Sequence, residues 1–307
     1  MADRIKVVVS ICTFERNEPL TRLLDALLLC ADHCKDRAMI GVVVIDDTVC
    51  GGASPIVEAF RGRFELGIVY RISGKQNISV ARNLGLEAAA PLGDWVAMTD
   101  DDCEPRVEWL SALLAVQQAT SGDAITGLMV RRVPPGSPNW IVDEPFLSLG
   151  APEPIDGKQM DTAFTNNALV SSDWLLTNSG VRFDPKLGKL GGEDMAFFRA
   201  AHEKGLRIYF SAQGYVYENE PPSRVTLRYQ LRRFYWHGNS SYVTMLEQGH
   251  SPFRAFIHGV AQFARAVVYP LRRLSRSKSP QLRYSLALLL LSLGLMLGIF
   301  GVRVRHK

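Results

Sequence analysis

Cysteine is scarce in this chain of 307 residues. Its five copies, Cys12, Cys30, Cys34, Cys50 and Cys103, make no even framework. That excludes a disulfide-stapled secreted scaffold and fits a reducing compartment. Cys30 and Cys34 flank His33 without a second ligand pair, so they are taken as helix residues and not as a zinc site. An apolar leader is also lacking. The opening MADRIKVVVSICTF runs directly into strand-like sequence with no long apolar region, so no secretory signal is expected. Apolar residues make up 47% of the chain, which excludes a disordered protein and allows one large core with an appendage.

Acidic residues are nearly absent from one end. Of the 35 Lys and Arg and the 31 Asp and Glu, residues 222–307 hold 14 and one, the one being Glu247. An acidic body of about −9 therefore joins a basic tail of about +13. Such a split marks a polyanionic partner, either nucleic acid or an anionic membrane surface. The tail decides between the two. Charge is missing between Arg283 and Arg303, and the 19 residues YSLALLLLSLGLMLGIFGV (284–302) would make a helix of roughly 28 Å, close to one hydrocarbon core. Arg272, Arg273, Arg276, Lys278 and Arg283 precede it; Arg303, Arg305 and Lys307 follow. The expected partner is thus anionic membrane lipid, with no nucleic acid, and the basic excess before the helix favours the body on the cytoplasmic side. A buried core helix is the competing reading. Residues 253–269, interrupted by Arg254 and Arg265, are too polar to span but suit an interface.

The body alternates strand and helix patterns. Residues 5–11, 40–45, 68–72 and 95–99 read as strands, and 19–30, 53–60 and 79–90 as helices. This spacing predicts an α/β fold with a doubly wound, mainly parallel sheet and right-handed crossovers. Further strands are expected at 124–130, 168–171 and 206–210, with a helix at 195–204. The Pro-rich residues 133–154 read as a long loop over the sheet edge, and Pro221-Pro222 as the end of the domain. The expected domains are 1–221 for the body, 222–281 for a basic interfacial helical region and 282–307 for a C-terminal membrane-associated helix.

Three consecutive aspartates, Asp100, Asp101 and Asp102, follow the apolar run Trp95-Val96-Ala97-Met98. Adjacent carboxylates repel one another and each resists leaving water, so packing alone would not select them. A strand ending in carboxylates delivers hard oxygen ligands to the sheet edge where open α/β folds bind ligands. Mg2+ or Mn2+ would relieve the repulsion, and a diphosphate could fill the remaining positions. The plainer reading is an acidic turn, with Asp102 or Glu104 capping a helix whose apolar face is Val107, Trp109, Leu110, Leu113 and Leu114. Asp46 and Asp47 end another strand, so five carboxylates are expected near one cleft.

Five motifs in order carry a resemblance: Cys12-Thr-Phe-Glu-Arg16, Val44-Ile-Asp-Asp47, Gln76-Asn-Ile-Ser-Val-Ala-Arg-Asn83, Thr99-Asp-Asp-Asp102 and Gly191-Gly-Glu-Asp194. The chain resembles the family 2 glycosyltransferases of the GT-A fold, in particular the bacterial branch that builds exopolysaccharides such as succinoglycan. The resemblance covers roughly residues 4–240 and implies an inverting, metal-dependent transfer. The sugar would move from a nucleoside-diphosphate donor, UDP-linked, to a polyprenyl-diphosphate-linked saccharide, at the cytoplasmic face of the inner membrane. It further implies that Thr13, Glu15, Arg16, Asp46, Asp47, Asn77, Arg82 and Asn83 hold the nucleotide, and that Asn166 and Asn167 lie at the sugar and acceptor site. Asp100 would serve sugar or metal, Asp101 either task, and Asp102 the metal as Mg2+ or Mn2+. Asp194 would be the general base with Glu193 beside it. Thr48 and Val49 depart from the family's usual Asp-Asp-Gly-Ser. Gln230-Leu-Arg-Arg-Phe234 resembles the Gln-x-x-Arg-Trp element of processive synthases, with Phe for Trp; alternatively Arg224, Arg228, Arg232 and Arg233 meet lipid head groups. Two rivals remain in view. A sugar nucleotidyltransferase should open with a Gly-rich phosphate loop where Ser10-Ile-Cys-Thr-Phe-Glu-Arg16 stands. The other is an inactive scaffold that binds sugar or lipid.

Overall fold

Unbroken β-branched runs make strands that are covered on both faces, and the first strand of this chain follows that rule. Val7, Val9 and Ile11 enter one apolar cluster and Val8 enters the other, as the two-residue period of a strand requires. The computed structural model describes residues 4–148, 155–189, 191–247 and 249–302. Its elements are β1 (Ile5–Thr13), α1 (Asn17–Cys34), β2 (Ala38–Asp46), α2 (Ser54–Ala59), β3 (Ile68–Ile72), α3 (Ile78–Ala89), β4 (Trp95–Asp100), β5 (Cys103–Pro105), α4 (Trp109–Thr120), β6 (Ala124–Arg132), α5 (Trp140–Asp143), β7 (Gln159–Met160), β8 (Ala168–Ser171), α6 (Ser172–Thr177), α7 (Glu193–Glu203), β9 (Ile208–Asn219), α8 (Leu227–Glu247), α9 (Pro252–Leu274) and α10 (Leu282–Leu297).

Among the described residues one sheet has the order β3-β2-β1-β4-β8-β6-β9-β5, with β7 on β9. β3, β2, β1 and β4 are parallel. β8 joins β4, and then β6, in antiparallel sense, and β5 and β7 do the same on β9. α1 presents Leu20, Leu23, Leu24, Leu27, Cys30 and Cys34 to the core at helical spacing. α3 lies close on the other face, where a β-carbon at Gly85 would collide with Ser10 Oγ. The α/β reading holds, and the antiparallel half extends it. β9 runs 12 residues where a strand ending at 210 was expected. Residues 103–105 form a strand with β9, so the helix after the aspartates starts only at Trp109, without a side-chain cap. The acidic run therefore does not cap that helix.

By internal contacts the chain divides into two units: residues 1–131 with 150–219, and residues 132–149 with 220–307. The second unit is helical. Segment 133–148, expected as a long loop, belongs to it and contains α5, because its apolar residues need cover. Ile141 and Phe146 are fully buried with Val225, Phe234 and Ala287. Phe146 packs edge-on to Trp140, Phe234 and Tyr284 at centroid distances of 5.0, 5.6 and 5.6 Å. Glu144 accepts from the backbone N–H of Tyr284 at 2.7 Å, which places an anion at the first turn of α10. The expected loop residues 149–154 lie outside the described ones. Gln230 is buried and donates to the carbonyl of Arg224 at 2.8 Å. Arg233 is buried at 3.6 Å from Glu220. Of the four arginines considered for lipid, Arg233 is thus enclosed, whereas Arg228 and Arg232 are exposed. Residues 282–300 are long and apolar enough to cross a membrane.

Candidate active site at the carboxyl edge of the parallel strands

Register brings the predicted residues to one rim. Thr13 pairs with Asp46 across β1 and β2, and Cys12 pairs with Asp100 across β1 and β4. Three adjacent parallel strands thus end together, at the edge where open α/β sheets bind ligands.

The aspartate run is held by two arginines. Asp101, 4% exposed, accepts from Thr13 Oγ1 at 2.8 Å and from Arg16 Nη1 at 3.1 Å. The same Arg16 nitrogen donates to Asp102 Oδ2 at 2.7 Å. Arg82 donates to Asp100 Oδ1 at 3.2 Å and to Glu193, which opens α7. Burial pushes the Asp101 carboxyl up to about 6, against Arg16 and Thr13 and with help from its charged neighbours Asp102 and Asp100. Burial also opposes the Arg82 charge, but Asp100 and Glu193 among its neighbours outweigh it and hold the guanidinium above its ordinary value.

Asp194 follows Glu193 in the first turn of α7. Its Oδ1 accepts from the Met195 N–H at 2.8 Å. Burial raises its carboxyl, and the adjacent Glu193 charge adds to the rise. Glu193 is tied to Arg82, whereas among the described residues Asp194 makes no such ion pair, although the Arg82 charge works against the rise of its carboxyl.

Several predicted residues turn out to serve the framework. Asp46 is fully buried and accepts from Thr48 N, Thr48 Oγ1, Ala53 N and Tyr70 Oη. Burial opposes its charge, but these bonds hold its carboxyl below the usual range. It shapes the loop that starts α2 and has little capacity left for a base or ribose. Asp47 accepts from Ser73 Oγ, from Lys75 N at 3.1 Å and from Asn77 N at 2.6 Å, so it fixes the loop into α3. Asn77 caps α3 by accepting from Ser79 N and Val80 N, and it donates to Pro185 O at 2.9 Å. Asn83 clasps the backbone of Phe183 in both directions at 2.9 Å. Asn167 is fully buried. It accepts from Trp109 Nε1 at 2.8 Å and donates to Leu128 O and Gly214 O. The amides of Asn83 and Asn167 are thus both engaged with the chain itself. Asn166 is half-buried, and Glu15 is exposed with left-handed backbone at φ 55°.

The sequence reading missed Tyr70 and Ser73, the partners of Asp46 and Asp47. The signal was available, because β3 runs parallel to β2 with Asp46 opposite Ile72. It also missed a small hollow lined by Ser10, Cys12, Arg82, Met98, Thr99, Asp100 and Thr165, where the Thr99 hydroxyl is buried without a partner.

Among the described residues no group of three His, Cys, Asp or Glu is gathered as a metal cage. Asp100 and Asp102 keep 40% and 27% of their side chains exposed beside a third carboxylate. Hard oxygens in that number suit a divalent cation that takes its other ligands from a diphosphate and water, as Mg2+ does.

Residues 8–175 match the model of a family described as "Glycosyl transferase family 2". The chain is 31% identical, over 249 residues, to the succinoglycan biosynthesis protein ExoM of Rhizobium meliloti (strain 1021), covering 81% of this chain and 78% of that one. Among solved structures, S. aureus TarS in complex with UDP matches at a TM-score of 0.54 and 19% identity, over 92% of this chain and 90% of that one. GalNAc-T7 with UDP, GalNAc and Mn2+ matches at 0.54 and 14% identity, over 79% of this chain and 51% of that one. At these identities the two structural likenesses are of fold.

Proposed function

This chain belongs to glycosyl transferase family 2, and on that premise we propose that it transfers a sugar from a UDP-linked donor to a polyprenyl-diphosphate-linked saccharide, with inversion, during polysaccharide biosynthesis at the cytoplasmic face of the inner membrane. It is a glycosyltransferase; the donor, the acceptor, the stereochemistry and the place are the proposal. The observation that carries it is the Arg82 node, which joins Asp100 at the strand rim to Glu193 beside Asp194.

Asp194 is the base. Burial raises its carboxyl, and a base whose pKa rises toward working pH accepts a proton more readily. The Met195 N–H on Oδ1 fixes the carboxylate, leaving Oδ2 to take the proton of the acceptor hydroxyl. That oxygen then attacks the anomeric carbon, the bond to the diphosphate breaks on the opposite face, and configuration inverts. Arg82 keeps Glu193 paired, so the proton goes to Asp194. Arg16, between Asp101 and Asp102 and half-exposed, can turn one N–H to the leaving diphosphate. Thr13, Glu15 and the loop fixed by Asp47 and Asn77 frame the nucleotide. Asp100 and Asp102 would hold Mg2+ or Mn2+, which when bound neutralises charge on the departing nucleoside diphosphate. Support for UDP and for a cation comes from the TarS complex with UDP and from the GalNAc-T7 complex with UDP and Mn2+. Support for polysaccharide biosynthesis comes from the succinoglycan relative, and support for the membrane from the one apolar helix of sufficient length among the described residues.

The test is sugar transfer from a panel of UDP-sugars to polyprenyl-diphosphate saccharides in detergent with Mn2+. Labelled lipid product supports the reading; donor turnover only with non-lipid acceptors would remove the lipid-linked substrate from it.

A further inference from the structure

We propose that the helical unit docks in the plane of an anionic bilayer through one face of α9, and that α10 lies in the interface as its packing partner and does not cross. The inference deepens the membrane reading above and rests on it.

α9 exposes Phe253, Ile257, Val260, Phe263, Val267, Val268, Leu271 and Leu274. At 100° per residue these positions fall within an arc of roughly 140°, along a length of about 32 Å. The arc is not what holds the helix in the fold. Ala255, Gly259 and Ala266 do that from the opposite side. A β-carbon at Gly259 would collide with Met296, and Ser285 Oγ donates to Ala266 O at 2.8 Å. Arg254, Arg265 and Arg272 are 11 and 7 residues apart, close to three and two turns, so they form one line along an edge of the arc. Arg273, Arg276 and Lys278 follow, and no Asp or Glu occurs after Glu247. An apolar arc edged by cations, on a helix that itself carries no Asp or Glu, fits the boundary between acyl chains and anionic head groups.

α10 is not placed to cross alone. Small residues bring the helices into contact: a β-carbon at Gly294 would collide with Tyr235 O, one at Gly238 with Leu291 O, and one at Gly298 with the Tyr242 ring. Asn239 Nδ2 donates to Val302 O at 2.8 Å. Turning α10 across a bilayer would carry α8 and α9 with it. The packing puts Gly259 at the level of Met296 and Ala266 at the level of Ser285, so α9 would be carried into the hydrocarbon beside α10, with the exposed His258 and Arg265 just inside the two ends. α9 is not apolar enough for that: among the described residues only 282–300 are. In-plane docking sinks the apolar arc and leaves these groups at the water side.

The test is flotation of the full chain with vesicles of phosphatidylglycerol and phosphatidylcholine, with phosphatidylcholine alone, and with V267E/L271E. Both substituted positions are exposed. The expected results are binding to the anionic vesicles, weaker binding to neutral ones, and a loss of at least about tenfold in the double variant, with unchanged transfer to a short water-soluble acceptor. If thermal melting shows that variant misfolded, R265E/R272E should weaken binding to anionic vesicles alone. Equal binding by folded variants and wild type would overturn the α9 face while leaving membrane association standing. No binding by wild type would overturn membrane association itself. A C-terminal tag protected from protease inside sealed vesicles, in protein resistant to alkaline carbonate, would show that α10 crosses.

Discussion

Arg82 and Glu193, 111 positions apart, form an ion pair in which both side chains are nearly buried. It joins α3 to the first turn of α7 and places the candidate base beside the aspartate rim. Removing one partner of such a pair leaves the other charge buried and unmatched. Arg82→Met should therefore cost about 3 kcal/mol or more of stability, measured by urea unfolding. Arg82→Lys should fold better but lose at least about tenfold in kcat, because an ammonium is a point charge and cannot present the planar fork that serves Glu193 and Asp100 together.

Asp194→Asn should bind UDP as the wild type does and lose about 100-fold or more in kcat. Calorimetric titration with UDP and a transfer assay separate the two effects. Wild-type kcat in this variant would move the base to Glu193.

The raised Asp194 carboxyl sets a pH dependence. Transfer needs the ionised form, so kcat/KM should fall as pH drops through a value above 3.8, the ordinary value for Asp. The stability effect has the opposite direction. Between the ordinary and the raised value the folded chain holds more protons than the unfolded one, so stability falls as pH rises through that window. Asp194→Asn should flatten this part of the stability profile, which melting temperatures across pH would record.

Asn167→Ala would leave the Trp109 indole and two buried carbonyls without partners. A loss of roughly 3 kcal/mol is expected from unsatisfied groups of this kind, while UDP affinity of the remaining folded protein should be unchanged. Weakened UDP binding without lost stability would show that Asn167 touches the donor.

Chelation should abolish transfer, and Mn2+ or Mg2+ should restore it. Asp102→Ala should shift the metal concentration needed for half activity at least about tenfold upward. Full activity in chelator would remove the cation from the mechanism.

Much of the parallel half was legible because β1, β2 and β4 are apolar on both faces and end in polar residues. The antiparallel half was not. β9 continues past Phe210 through Ser211, Ala212, Gln213 and Gly214, which have little apolar bulk to mark a strand, and its partners β5 and β7 have three and two residues, too few for a periodic signal. At the site, residue type pointed to the rim but not to what each side chain does there. Asp46 ends β2 and Asp101 follows β4, the same residue type at two strand ends, yet one is saturated by four hydrogen bonds and the other faces Arg16. Asn83 and Asn167 carry motif positions but bind backbone groups 100 and 47 residues away. Such partners exist only once the fold has formed.

The most direct measurement is the anomeric configuration of the lipid-linked product made from an α-linked UDP-sugar, read by NMR, for wild type and for Asp194→Asn. A β-linked product from the wild type, with its yield reduced about 100-fold or more in the variant, is predicted. An α-linked product, or equal yields from the two proteins, would contradict a single displacement driven by Asp194.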